Sequence, residues 1–181
     1  MNGLTARQKL SGSCYIAQGE HALGNRSEDV ISTILGSCVA TCLWDPVAGI
    51  GGMNHILLPD SGGNSVAASS YGANAMELLI NAMISAGAVK KRFRAKIFGG
   101  ATMYAGLSDA GKKNGDFVLD YLARESIPLD GKSIGGTQAR RVEFWPADGR
   151  ARQKLVEDQS VADEKPTRVV TPPQGNDLEL F

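Results

Sequence analysis

The chain has 181 residues, 43% of them hydrophobic, with 19 Lys plus Arg balanced by 19 Asp plus Glu. That apolar content suffices for one substantial core, and it excludes a collagenous or wholly disordered chain. With no net charge there is no global basic field to gather nucleic acid or an anionic lipid surface.

In chain order, residues 1–12 are polar, carry Gly3 and Gly12, and read as a flexible leader without the apolar stretch of an export signal. A cytoplasmic protein is expected. No apolar run approaches the ~18 residues that span a bilayer, so no direct membrane insertion is expected. Cys14 to Gln18 is predicted as a first strand, followed by a turn-like stretch over Gly24 to Asp29. Val30 to Leu43, rich in apolar and β-branched residues, carries Gly36 and Ser37 in its middle, which predicts two strand pieces joined by a bend. Asp45-Pro46 marks a turn, and Ile50 to Leu58 is a further strand containing His55.

From Ser70 the apolar period lengthens. Ala73, Met76, Leu79, Ile80, Met83 and Ile84 recur at three and four positions and define one helical face, with Ser69 or Ser70 as a cap and Gly87 as a stop. Arg94 to Phe98 is predicted as a strand stopped by Gly99 and Gly100. A second helix is expected near Asn114 to Arg124, burying Phe117, Val118, Tyr121 and Leu122. Ile127 to Leu129 reads as a short strand and Gly131 to Gln138 as a glycine-rich loop. Arg140 to Trp145 and Arg152 to Val156 form a predicted hairpin around Pro146 to Gly149. Residues 157–181 are acidic and proline-rich and read as a disordered tail, which leaves 13–156 as the folded domain.

Only three cysteines occur, Cys14, Cys38 and Cys42, at spacings unlike a zinc ribbon or a CxxC pair, and only two histidines, His21 and His55. No metal or organic cofactor is expected. A thiolate nucleophile needs exposure, a base, and backbone N–H groups placed to receive an oxyanion. Leu35-Gly36-Ser37-Cys38 meets the first and last conditions, because Gly36 and Ser37 keep the ground around the sulfur open. His55 lies on the strand after the Asp45-Pro46 turn, so an antiparallel return brings it beside the bend, and Gly51-Gly52 ahead of it leaves room for a substrate chain. Cys42 is expected in the core, since four strand residues separate its Cα from that of Cys38 by roughly 13 Å. A rival pair, Cys14 with His21, lies beside the leader, where no rigid element flanks both sides. Gly99-Gly100 offers a close approach to a substrate backbone, and Lys90, Lys91, Arg92 and Arg94 read as a solvated basic patch able to meet acidic helices.

The run from Ser32 to Pro46, Ser32-Thr33-Ile34-Leu35-Gly36-Ser37-Cys38-Val39-Ala40-Thr41-Cys42-Leu43-Trp44-Asp45-Pro46, is followed by Gly51-Gly52-Met53-Asn54-His55-Ile56-Leu57-Leu58-Pro59. These two stretches resemble the signature of the CheD family of bacterial chemoreceptor glutamine deamidases. The similarity continues in Tyr71-Gly72, Ala75-Met76, Lys96-Ile97-Phe98-Gly99-Gly100-Ala101, Asn114 and Gly135-Gly136, and covers about residues 14 to 156.

The resemblance implies hydrolysis of glutamine side-chain amides on methyl-accepting chemoreceptors by a Cys–His thiol mechanism, and contact with other chemotaxis proteins such as a CheC-type phosphatase. Its Cys–His pair falls on Cys38 and His55. Its hydroxyl-bearing third member falls on Ser32, six residues before the nucleophile, where the family usually has threonine. Either this hydroxyl or that of Thr33 beside it could orient the imidazole; strand alternation, if it carries through the bend at Gly36, puts Ser32 on the side of Cys38 and Thr33 on the other, and the role is assigned to Ser32. Gly36, Ser37, Gly99 and Gly100 are the candidates for substrate or oxyanion contact. The implied fold is α+β, an α/β sandwich of largely antiparallel sheets with helices outside. Two other readings fit the same residues: a non-catalytic signalling module that binds receptors or a phosphatase, and a thiol protease or acyltransferase.

Overall fold

Strand alternation, hairpin turns and two amphipathic helices account for the architecture. The structure, a computed structural model, describes residues 12–59, 65–103 and 109–156. Apart from Gly12, the expected leader and tail lie outside the described residues. The elements are β1 (Ser13–Tyr15), β2 (His21–Gly24), β3 (Val30–Leu35), β4 (Val39–Asp45), β5 (Ile50–Ile56), α1 (Ser65–Ser85), β6 (Arg94–Gly99), α2 (Ala110–Arg124), β7 (Leu129–Ile134), β8 (Arg140–Trp145) and β9 (Arg150–Leu155). They build a four-stranded sheet in the order β1-β3-β8-β9 and a five-stranded sheet in the order β2-β5-β4-β6-β7. All pairings are antiparallel except β1 with β3 and β6 with β7. The fold is α+β, as the family resemblance implied.

The five-stranded sheet is the middle layer, which is why β4 and β5 are buried along their whole length. One face of it, with Ala40, Cys42, Trp44, Met53 and Phe98, packs on Ile31, Leu35, Val142 and Phe144 of the smaller sheet. The other face, with Val39, Leu43, Ile56 and Ile97, packs on Met76, Leu79, Ile80 and Met83 of α1 and on Val118 and Leu122 of α2. Each side chain buried in this way contributes on the order of 1.5–3 kcal/mol against leaving it in water. The helices therefore cover one side of the sandwich only.

The two hairpins share a design. In β4–β5 and β8–β9 a proline opens the loop and a glycine at positive φ closes it, Gly49 at +63° and Gly149 at +76°, with the glycine N–H donating to the carbonyl of Asp45 or Trp145. Asp45 holds the first turn more firmly: its carboxylate accepts from the N–H groups of Val47, Ala48 and Val89 and from the Arg92 guanidinium. That partner holds the Asp45 carboxyl well below the usual carboxylate range. The expected basic patch is thus not a free field of charge. Arg92 belongs to Asp45, Lys90 pairs with Glu125, and Arg94 pairs with Asp130.

Three elements differ from the sequence expectation. β2 over His21–Gly24 lies in a stretch with no predicted strand, because four residues around one leucine give too short an alternation to register. Helix α1 begins at Ser65 rather than near Ser70; its first turn, Ser65 to Ala68, is made mostly of small residues that carry no periodic large apolar face. Strand β7 occupies Leu129–Ile134, where the glycine content predicts a loop from Gly131 onward; parallel pairing with β6 supplies hydrogen bonds that its own composition does not advertise. Among the described residues, no helix is long and apolar enough to cross a membrane.

Candidate active site

Strand β3 belongs to the smaller sheet and β4 to the larger, so the chain must cross between layers at Gly36-Ser37-Cys38. Three successive carbonyls of that crossing are pinned. Gly36 O accepts from Ala101 N at 2.9 Å, Ser37 O from Asn114 Nδ2 at 2.8 Å, and Cys38 O from Gly100 N at 2.7 Å. In a planar trans peptide the N–H points opposite to the C=O, and no cis bond occurs here. Pinning the carbonyls of Gly36 and Ser37 therefore fixes the directions of the Ser37 and Cys38 N–H groups before any substrate arrives. Cys38 itself is half-buried and packs on the inter-sheet core.

His55 faces the same layer. Its ladder partner is Ala40, and β4 and β5 run in register up to Val39 opposite Ile56. The ladder ends there, and Cys38, the next residue, packs on the same inter-sheet cluster as Ala40, the ladder partner of His55. His55 is buried, and desolvation lowers its pKa from 6.5 to about 4, so the ring is neutral at pH 7. Its Nδ1 lies 2.8 Å from Thr33 Oγ1, which in turn donates to Ile16 O at 2.8 Å. A hydroxyl has one proton to give. With that proton on Ile16 O, Thr33 can only accept from His55, so Nδ1 carries the hydrogen and Nε2 is left as a bare lone pair. Nε2 is buried and makes no hydrogen bond among the described residues. The smaller sheet thus supplies the group that fixes the tautomer of an imidazole carried by the larger one.

A family model described as CheD chemotactic sensory transduction matches residues 57–155. A protein of Caulobacter sp. strain K31, bearing the name "Probable chemoreceptor glutamine deamidase CheD", is 49% identical over 172 residues, covering 92% of each chain. The chain belongs to the CheD family. Relatives of the same name in Acidiphilium cryptum and Rhizobium leguminosarum bv. trifolii are 48% identical, over 92% of each chain, and 51% identical, over 77% of each chain.

In this CheD chain the facing expected at positions 32 and 33 is reversed. Ile31, Thr33 and Leu35 of β3 point into the sandwich; Ser32 lies on the other face, where its hydroxyl reaches Cys14 O at 3.4 Å. Parity counted back from Cys38 fails because the chain changes sheets at the bend, so alternation along β3 does not carry through to β4. The rival pair separates as well. Cys14 packs on the inter-sheet core, whereas His21 pairs with Asn54 on the helix-covered face of the larger sheet. Cys42 is fully buried, and burial pushes its thiol pKa up.

Gly99 and Gly100, expected as substrate contacts, lie against the backbone of Cys38. The Gly100 N–H is engaged with Cys38 O and is not available to an oxyanion. Gly99 has φ +112°, and a Cβ there would stand 2.1 Å from Cys38 O, so only glycine lets β6 lie this close to the Cys38 backbone. Gly51 and Gly52 likewise leave no room for a substrate chain: Pro146 O and Leu79 Cδ1 occupy the space where their Cβ atoms would be. Over Gly36 lies Met103, 3.3 Å from the place a Cβ would take.

Sequence reasoning misplaces three residues of this neighbourhood. Strand parity turns Thr33 away from Cys38 and so favours Ser32 over it as the orienting hydroxyl. Asn114 is visible only as part of the family resemblance, since a polar residue on a helix usually faces water. Arg140 is expected on a hairpin face, yet it is buried and donates to the carbonyls of Ser133 and Gly135. The loop it holds is bonded through Gly135 N to Gly99 O and through Gly136 O to Thr102 N, so Arg140 braces the turn that carries Gly100 and Ala101.

Proposed function

We propose that this chain hydrolyses glutamine side-chain amides on chemoreceptors, with Cys38 as nucleophile, His55 as acid and base, and Thr33 as the group that orients the imidazole. The observation that carries the reading is the Thr33–His55 hydrogen bond, which leaves a buried, unprotonated Nε2 on the face where Cys38 packs. Nε2 takes the Cys38 proton, and the thiolate it creates is the counter-charge that burial otherwise denies the imidazolium. The sulfur attacks the glutamine Cδ, and the preset N–H groups of Ser37 and Cys38 receive the oxyanion. Nε2 returns its proton to the departing ammonia. Water, deprotonated by the same nitrogen, then cleaves the thioester to give glutamate and free thiol.

The substrate class is supported by the relatives' common name, since this chain spans nearly their whole length. A CheC-type phosphatase is retained as a candidate partner from the family resemblance. The direct test incubates a receptor cytoplasmic fragment with the full chain and reads ammonia release together with the glutamine-to-glutamate mass change in its peptides. Both signals should vanish in Cys38→Ala and in His55→Ala. Deamidation that survives Cys38→Ala overturns the reading.

A further inference from the structure

Strands β4 and β5 pair as far as Val39 opposite Ile56. Two pairs further in the same register, Ser37 would stand across from Leu58, and a continued ladder would offer Leu58 N–H to the Ser37 carbonyl. The structure has a side chain in that place. Asn114 Oδ1 accepts from Leu58 N at 2.9 Å, and Asn114 Nδ2 donates to Ser37 O at 2.8 Å. A single amide bridges the two strand ends, satisfying both groups and holding them apart by its own width. Asn114 is 1% exposed, on the α2 face that packs against the larger sheet.

Two consequences follow for the intervening residue, Cys38. The strands part beside it, which releases the nucleophile from a regular ladder. The Ser37–Cys38 peptide is also locked at its carbonyl end, so the Cys38 N–H keeps one direction. The flanking carbonyls are pinned by backbone N–H groups; this pin alone of the three is made by a side chain and can be altered without rebuilding the main chain. Only a neutral amide fits both neighbours: a carboxylate would accept from Leu58 but repel Ser37 O, and an apolar residue would leave both unsatisfied.

We infer that Asn114 is a positioning residue for deamidation, which wedges β4 from β5 at the nucleophile and presets the Cys38 N–H as an oxyanion donor. The inference rests on the deamidase reading above. The two can be separated because alkylation of a thiolate by iodoacetamide forms no oxyanion. In full-length Asn114→Asp, deamidation of the receptor fragment should fall roughly 10-fold to 100-fold in kcat with KM little changed. Alkylation of Cys38, followed on its own peptide by mass spectrometry, should stay within about threefold of the parent chain. The loss should shrink as the pH is lowered, because the introduced carboxyl, once protonated, can again donate to Ser37 O.

Equal losses in alkylation and deamidation, or a kcat that does not change, would overturn the inference. If Asn114→Asp does not fold, Asn114→Ser is measured in the same way, with the same split expected and the same outcomes against it. Wild-type chain alkylated at Cys38 is the separate control. Should it still deamidate the fragment, the thiol mechanism fails, whatever Asn114 does.

Discussion

At the scale of single residues, one proton decides the chemistry. Thr33 gives its hydrogen to Ile16 and accepts from His55, so its hydroxyl sets the tautomer and the angle of the ring at once. Thr33→Val preserves shape and removes the acceptor; it should lower kcat on the order of 10-fold to 1,000-fold with KM little changed. Ser32→Ala should leave kcat within about twofold, since its oxygen faces Cys14. Ammonia-release kinetics on both variants decide between them: a dead Ser32→Ala beside an active Thr33→Val would return the role to position 32. The pH profile follows from the same ring. With its pKa lowered by burial to about 4, His55 stays a competent base well below neutrality. The acid limb of kcat/KM should therefore lie near pH 4 rather than at the 6.5 of a solvated imidazole. A limb at the higher value would mean that the base is not the buried neutral ring described here.

At the scale of elements, the site is a seam between layers. Cys38, the proposed nucleophile, lies where the chain leaves the small sheet for the large one, and β6 closes against it through Gly99 with no side chain between. Gly99→Ala should force that contact open, since its Cβ would meet Cys38 O and the backbone would be held at a φ that L-residues avoid. A loss of about 2–4 kcal/mol in urea unfolding is expected, together with a loss of activity greater than the unfolded fraction explains. A stable and fully active Gly99→Ala would show that β6 does not hold the nucleophile's backbone. The sequence announces the bend through Gly36-Ser37 and the two loops Asp45-Pro46 and Pro146 to Gly149, because turn chemistry is local. It does not announce β2 or β7, whose strand character comes from the neighbours they pair with.

For the whole molecule, burial of two neutral histidines links folding to acid. His21 and His55 both have depressed pKa values in the folded chain, from desolvation. A base with a depressed folded pKa binds its proton in the unfolded state first, so its contribution is full above the unfolded value and is lost as pH falls. For His55 the window runs from about pH 6.5 down to about 4. Asp45, whose folded pKa is held down mainly by Arg92, adds a second loss below its ordinary 3.8. Stability measured by urea titration should decline progressively below pH 6.5. His55→Gln, which cannot take up a proton, should flatten part of the decline above pH 4; an unchanged slope in that variant would remove His55 from the linkage.

The sequence by itself determined most strand segments, their turns and the apolar faces of both helices, while the sandwich and the proposed thiol–imidazole pair were legible through the family resemblance. Those features are written in local periodicity, in turn residues and in motif order, each of which a linear string carries. Tertiary structure decided which hydroxyl meets the imidazole, what Gly99 and Gly100 are for, and why a helix residue as distant as Asn114 lies at the nucleophile. The physical reason is the crossing at Gly36 to Cys38. Alternation fixes facing only within one sheet, and once the chain passes from one layer to the other, the relation between Thr33, Cys38 and His55 is set by how the two sheets pack.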